Sequence, residues 1–180
     1  MMSVLRSLVA EPQAAYQFRA MSSADLPMVR TWLARPHVRE WWGDADEQFA
    51  LVSGDLAEPA MQQFIVAVQD RPFGYLQSYD LDAWPDAAFR EHPSGTRAID
   101  QFIGEADMVG RGHGSGFVRA FVDGLLSAGI PRVITDPDPD NLRAVRSYEK
   151  AGFRKVGLVD TLDGTALLMI RDNSYRAHTQ

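Results

Sequence analysis

The chain has no cysteine among its 180 residues. Disulfide frameworks, thiolate metal sites and cysteine nucleophiles are therefore excluded. Long apolar runs are missing too: no segment approaches the roughly 20 residues of a membrane-spanning helix. The stretch from Met1 to Ala10 is too short and too interrupted, by Arg6 among others, for a secretory h-region. Positive charge is scarce, with 18 Lys and Arg against 24 Asp and Glu and a net charge of −6. That sign argues against a free-standing nucleic-acid binder and suits a cationic or neutral small partner. No nucleic-acid or membrane partner is expected. Absence of Cys fits either redox compartment; the cytoplasm is the expected one. The 46% hydrophobic and 23% charged composition is that of an ordinary globular chain. Its length fits one domain, with residues 1–14 as a loose extension and 15–180 as the folded unit.

What is present reads as alternating strands and helices. Tyr16 to Met21 alternates as a first strand. Ser22 or Ser23 then caps a helix carrying Leu26, Val29, Trp32 and Leu33 at helical spacing, stopped by Pro36. Pro36 to Trp42 reads as a short turn ending at Gly43, and Asp44 to Leu56 as a helix. The period then changes. Gln63–Gln69 and Phe73–Tyr79 form a hairpin around Asp70-Arg71-Pro72. After a long acidic loop over 80–96, Ala98–Ile103 is the next strand. The cluster Gly110-Arg111-Gly112-His113-Gly114-Ser115-Gly116 precedes a helix that buries Phe117, Val118, Phe121, Val122, Leu125 and Leu126. Arg132–Thr135 is a short strand. Asp140 or Asn141 caps a helix through Ala151, with Gly152 as its stop. Phe153–Val159 and Thr165–Arg171 close the chain around an Asp163-Gly164 turn. This order predicts a mixed α/β (α+β) fold whose sheet is mostly antiparallel and flanked by helices, not a doubly wound sheet.

Two constellations carry chemistry. Backbone amides of a glycine cluster can converge on an anion, and the following helix adds its dipole, a combination that suits pyrophosphate. A flexible turn is the plainer alternative. No Lys-Ser or Lys-Thr closes the loop, so it is not a Walker A motif. G-x-G-x-x-G is not met, and His113 stands where a nucleophile elbow needs glycine. The second constellation is Asp136 to Phe153. Asn141 and Tyr148 lie seven apart, on one helix face, and both could line one groove; Tyr148 could equally be core. Asp136, Asp138 and Asp140 could also serve only as turn formers and caps. Trp41 and Trp42 fit either a core anchor or a pocket wall. His37 and Glu40 have metal-ligand spacing without a third ligand, so no metal is expected.

Together, the glycine loop and Asn141-x-x-Ala144-x-x-x-Tyr148-x-x-x-Gly152-Phe153 resemble the GCN5-related N-acetyltransferase (GNAT) superfamily over residues 15–172. Glu40-Trp41-Trp42-Gly43, Gly74-Tyr75-x-Gln77-Ser78-Tyr79, Ile99-Asp100-Gln101 and Thr135-Asp136-Pro137 resemble its aminoglycoside 6′-N-acetyltransferase branch. One position departs: the family consensus places Gln or Arg where this chain has Val109.

The resemblance implies a GNAT fold with acetyl-CoA bound at a splay between the fourth and fifth strands. It implies cofactor contacts from Ile103, Val109, Gly110, Arg111, Gly112, His113, Gly114 and Ser115, and from Asn141, Arg143 and Tyr148. Trp41, Trp42, Tyr79, Asp82, Glu91, Asp100, Asp136 and Asp138 would shape the acceptor site. Acetyl transfer to a primary amine of a polycationic small molecule, most simply an aminoglycoside, is the implied reaction. Asp100 would deprotonate the amine directly or through water, Asp136 would hold the cation or share the base role, and Tyr148 would protonate the departing thiolate. The alternatives are a siderophore-type N-acyltransferase acting on a hydroxylated lysine side chain, acetylation of a protein amine, and a CoA-binding module without turnover. A monomer or a homodimer is expected.

Overall fold

A computed structural model describes residues 16–83, 89, 91–161 and 164–174. The extension read over 1–14, Asp86 of the acidic loop, and Asp163 lie outside the described residues. The strands are β1 (Tyr16–Ala20), β2 (Met61–Val68), β3 (Arg71–Asp80), β4 (Arg97–Ile103), β5 (Arg132–Thr135), β6 (Arg154–Thr161) and β7 (Gly164–Asp172). The α-helices are α1 (Leu26–Leu33), α2 (Pro36–Trp42), α3 (Ala45–Gly54), α4 (His113–Ser127) and α5 (Leu142–Lys150). They flank one seven-stranded sheet of order β1-β2-β3-β4-β5-β7-β6.

Local chemistry explains most boundaries. The Asp44 carboxylate caps α3 by accepting from the Asp46 and Glu47 amides. The Asn141 side chain accepts from the Ala144 amide and starts α5, and Gly152 ends it at φ +97°. Two readings change. Pro36–Trp42 is not a turn but a seven-residue helix, with proline at its start and Gly43 at φ +84° closing it. The β2–β3 turn sits one residue earlier than expected. Gln69 and Asp70 both take positive φ, 49° and 60°, and Val68 pairs with Arg71. The Gln17 side chain clamps Asp70, donating to its carboxylate at 2.8 Å, which holds residues that seldom adopt this conformation. Pro72 then falls beside the bulge at Val66/Ala67, where a missing amide does least harm.

Every sheet pairing is antiparallel except β4 with β5. Only Arg97↔Val133 and Ala98↔Ile134 are in register there. Beyond Ala98 the two strands part, and β4 runs on through Ile103 paired to β3 alone. The alternation of side chains along β4 then serves two layers. Ile99 packs with Phe117 and Tyr148 in the core beneath α4 and α5, whereas Phe102 packs with Trp32 and Tyr75 in the core beneath α1 to α3. Asp100 has the parity of Phe102, and Gln101 that of Ile99.

The end of β4 is anchored by side chains. Gly104 and Glu105 both donate their amides to the Phe73 carbonyl. Glu105 accepts from Trp32 Nε1 and from Arg35, each at 2.8 Å, and Arg35 also donates to the Gly104 carbonyl. A Cβ on Gly104 would run into the Trp32 indole, which is 1% exposed. Gly104→Ala is therefore expected to cost about 1–3 kcal/mol by overpacking. That corresponds to a fall in Tm of roughly 5 °C in a chain of this size, read by thermal denaturation.

Candidate active site

Where β4 and β5 part, a cleft of about 370 Å³ opens between α2, the glycine loop and α5. The loop supplies its anion-binding end. Gly110 and Gly112 adopt φ of +77° and +83° on either side of Arg111, a conformation that favours glycine. Gly112 is the N-cap of α4. The first hydrogen bond of that helix runs from the Gly116 amide to the Gly112 carbonyl. Among the described residues, the His113, Gly114 and Ser115 amides therefore have no carbonyl to bond, and they stand at the positive end of a 15-residue helix. A Cβ on Gly114 would come within 3.0 Å of Ser147 Oγ, so glycine there lets α4 approach α5.

Opposite the loop, Arg143, Arg146 and Lys150 line the cleft. Their i, i+3, i+7 spacing puts three cations on one face of α5. A chain of net charge −6 thus turns a basic wall and a row of free amides toward one groove. That donor set fits a ligand carrying several phosphates.

The third wall is β4. The Gly104 amide bonds Phe73, so by strand alternation Phe102 and Asp100 direct their backbone groups to β3. Gln101 and Ile103 direct theirs to the open side, where β5 has moved away. His37 Nε2 donates to the Ile103 carbonyl at 2.9 Å, closing the far end of this row. The Gln101 amide and carbonyl and the Ile103 amide are left facing the cleft, a donor, an acceptor and a donor able to bind an extended amide-bearing arm. Val109 also lines the cleft, and a side chain there leaves the loop amides intact.

The acid–base candidates lie beneath the cleft rather than along its lining. Asp100 and Asp136 each lie two residues beyond the last parallel pair, Ala98↔Ile134, where the two strands part. The Asp100 carboxylate accepts from Gln77 Nε2 at 2.9 Å. Burial pushes its pKa above the ordinary carboxylate value, and the Gln77 bond opposes that shift in part. Tyr148 is 4% exposed and packs on Phe153 with ring centroids 5.5 Å apart. Its hydroxyl accepts a long 3.5 Å bond from Gln101 and also meets Thr135 at the end of β5. Burial raises its pKa first, and the fields of Asp100 and Asp136 add to that. Tyr148 is thus a core residue whose polar tip reaches the splay between two carboxylates.

The remaining expected residues are scattered. Trp41, Trp42, Ile103 and Asn141 line the cleft. Trp42 meets Phe102 and Tyr75 edge-on, with centroids 4.9 and 6.1 Å apart, so it is wall and core at once. Tyr79 pairs with Ala98 across β3 and β4. Asp82 is exposed and accepts from Ser94 Oγ at 2.6 Å and from the Gly95 amide at 2.8 Å, fastening the acidic loop to itself. Asp138 is exposed and accepts from the Asp140 amide, a turn-forming contact. Glu91 and Arg111 are exposed. His113 turns Nδ1 toward the Tyr16 hydroxyl at 3.1 Å and packs near Phe73, and its side chain does not line the cleft. Conversely, His37 and Gln101 belong to the cleft without having been named for it. Their signal is parity and neighbourhood: Gln101 adjoins Asp100, and His37 precedes the tryptophan pair by one helical turn.

Residues 22–161 match the family model described as an acetyltransferase (GNAT) domain. The aminoglycoside N(6′)-acetyltransferase type 1 of Klebsiella pneumoniae is 37% identical over 174 residues, covering 92% of this chain and 87% of that protein. A kanamycin resistance protein of Rhizobium radiobacter is 45% identical over 82 residues, 45% of this chain and 76% of that protein. Among solved structures, AAC(6′)-Ib in complex with ribostamycin and coenzyme A superposes with a TM-score of 0.79 at 35% identity, covering 92% and 99% of the two chains. AAC(6′)-Ib in complex with paromomycin and acetyl-CoA gives 0.78 at 34% identity with the same coverage. With a glycine nest, a basic helix face and an open strand edge converging at the parting of its two parallel strands, this chain belongs to the GNAT acetyltransferases, enzymes that draw on acetyl-CoA.

Proposed function

We propose that this enzyme acetylates the 6′-amine of an aminoglycoside. The single observation that carries the reading is the register across the splay. It leaves Asp100 and Asp136 each two residues beyond the last parallel pair, with the Tyr148 hydroxyl in the field of both. Acetyl-CoA supplies the activated acyl group as a thioester, which an amine can attack without a protein nucleophile; the chain has no cysteine to provide one. Arg143, Arg146 and Lys150, with the loop amides, hold the phosphates. The Gln101 and Ile103 backbone holds the amide-bearing arm.

An ammonium group cannot attack, so the acceptor must first give up a proton. Asp100 takes it, directly or through a water. An ordinary Asp, with a pKa of about 3.9, is a weak base for this, and burial moves Asp100 in the useful direction. Asp136 supplies a second negative charge beside the incoming cation. The buried Tyr148 hydroxyl keeps its proton through neutral pH and can deliver it to the departing sulfur, and the second proton that the nitrogen sheds as the amide forms restores the hydroxyl. Trp41 and Trp42 give the groove an apolar wall for a ring.

Asp136→Asn tests the acceptor half. One partly exposed charge is worth up to about 1 kcal/mol, so the KM for kanamycin should rise roughly fivefold at low ionic strength. The acetyl-CoA KM should hold, and added salt should narrow the gap between variant and parent. An unchanged kanamycin KM would take Asp136 out of the acceptor site.

A further inference from the structure

A chain of hydrogen bonds leads away from Asp100 into the core beneath α1 to α3. Gln77 Nε2 donates to Asp100 Oδ2 at 2.9 Å, and the Tyr75 hydroxyl donates to Gln77 Oε1 at 2.8 Å. Gln63 on β2 stands near the Tyr75 hydroxyl, and its Nε2 donates to the Val52 carbonyl at 2.9 Å. The donor sense is fixed at the Asp100 end. A carboxylate can only accept, so Gln77 must give it an N–H and keep its carbonyl oxygen for Tyr75. Both bonds therefore point toward Asp100. Successive bonds of one sense polarise each other, most strongly in a low-dielectric interior. Tyr75 is fully buried, stacked on Phe102 with centroids 5.2 Å apart and met edge-on by Trp42. The aromatic wall of the cleft thus fixes the ring whose hydroxyl sets the Gln77 amide.

We propose that Tyr75 is a positioning residue: acting through Gln77, it keeps the Asp100 carboxylate oriented and ready to accept a proton from the acceptor amine. This rests on the reading of Asp100 as the base. Without the Tyr75 hydroxyl, the Gln77 amide loses the partner that fixes its direction and can turn either face to Asp100. With its oxygen toward Asp100 it favours the protonated acid, which already holds its proton and cannot take another from the amine. The other titratable groups near this chain are Tyr148 on α5, which feels Asp100 directly, Asp136 beyond β5, which also acts on Tyr148, and Asp55 after α3, whose charge reaches Tyr75. Tyr75→Phe leaves all three in place.

The experiment measures kcat/KM for kanamycin against pH in Tyr75→Phe, Gln77→Leu, the double variant and Asp100→Asn. Tyr75→Phe should move the acid limb up by roughly half a pH unit, the scale of one weakened hydrogen bond, with the acetyl-CoA KM unchanged. Gln77→Leu should move it further, and adding Tyr75→Phe to Gln77→Leu should move it no more, since Tyr75 acts only through Gln77. If Tyr75→Phe does not fold, the upward shift in Gln77→Leu still tests the relay, and an unmoved limb there overturns it. Loss of kcat in Asp100→Asn with an unmoved limb in Tyr75→Phe also overturns the relay while the base assignment stands. Full activity in Asp100→Asn overturns both.

Discussion

Asp100→Asn should lower kcat by about 10² to 10⁴, the usual contribution of a positioned general base, while the acetyl-CoA KM changes little. Asn has the shape of Asp and can still meet Gln77, so the fold and the cofactor groove should persist. The lost function is proton acceptance. The pH dependence fixes the sign. Burial raises the folded-state pKa of Asp100, so the active, ionised form predominates only above that raised value. Activity should therefore fall as pH drops through a limb lying above the ordinary carboxylate range. Steady-state kinetics from about pH 3 to about pH 9 would show it. A limb at the ordinary Asp value would mean that burial does not govern the base.

The second large effect is at the other end of the cleft. Gly112→Asp puts a carboxylate at the N-cap of α4, beside the amides that receive phosphate. A Cβ at this position meets no atom within 4 Å, so the fold can accept the side chain. The φ of +83° costs a non-glycine residue about 1–2 kcal/mol. The greater cost is electrostatic, because the helix dipole and the free amides would be satisfied internally and a negative charge would face the incoming pyrophosphate. Acetyl-CoA affinity should fall at least roughly a hundredfold in calorimetry, with a small change in Tm. Retained affinity would remove the loop from the cofactor site.

The sequence is most legible where backbone chemistry is local. The glycine loop, the Asn141 cap and the Gly152 stop can be read from residue type because each satisfies a nearby amide or permits a positive φ. The mostly antiparallel sheet follows from the strand order. Pro36–Trp42 reads as a turn because proline and glycine bracket it so closely, yet proline at a first helical position is compatible with helix. The Gln69-Asp70 turn is misplaced by one residue because Gln17, distant in sequence, stabilises it. The site divides in the same way. Asp100, Asp136 and Tyr148 stand out by residue type and resemblance. Their relative placement depends on which strands pair in parallel and where they part, and no local pattern encodes that. Asp82 and Asp138 draw attention as acidic loop residues, and each proves to hold its own loop. Gln77 and Tyr75 carry no catalytic signature in their letters; only the β3–β4 pairing brings them to Asp100.

The most direct test of the account is a CoA-release assay with acetyl-CoA against kanamycin, ribostamycin, simple polyamines and hydroxylated lysine, with mass spectrometry to locate the acetyl group. The account predicts rapid release with the aminoglycosides, the acetyl group on the 6′-nitrogen, and slow or no release with hydroxylated lysine. Efficient turnover of hydroxylated lysine with none of either aminoglycoside would contradict it.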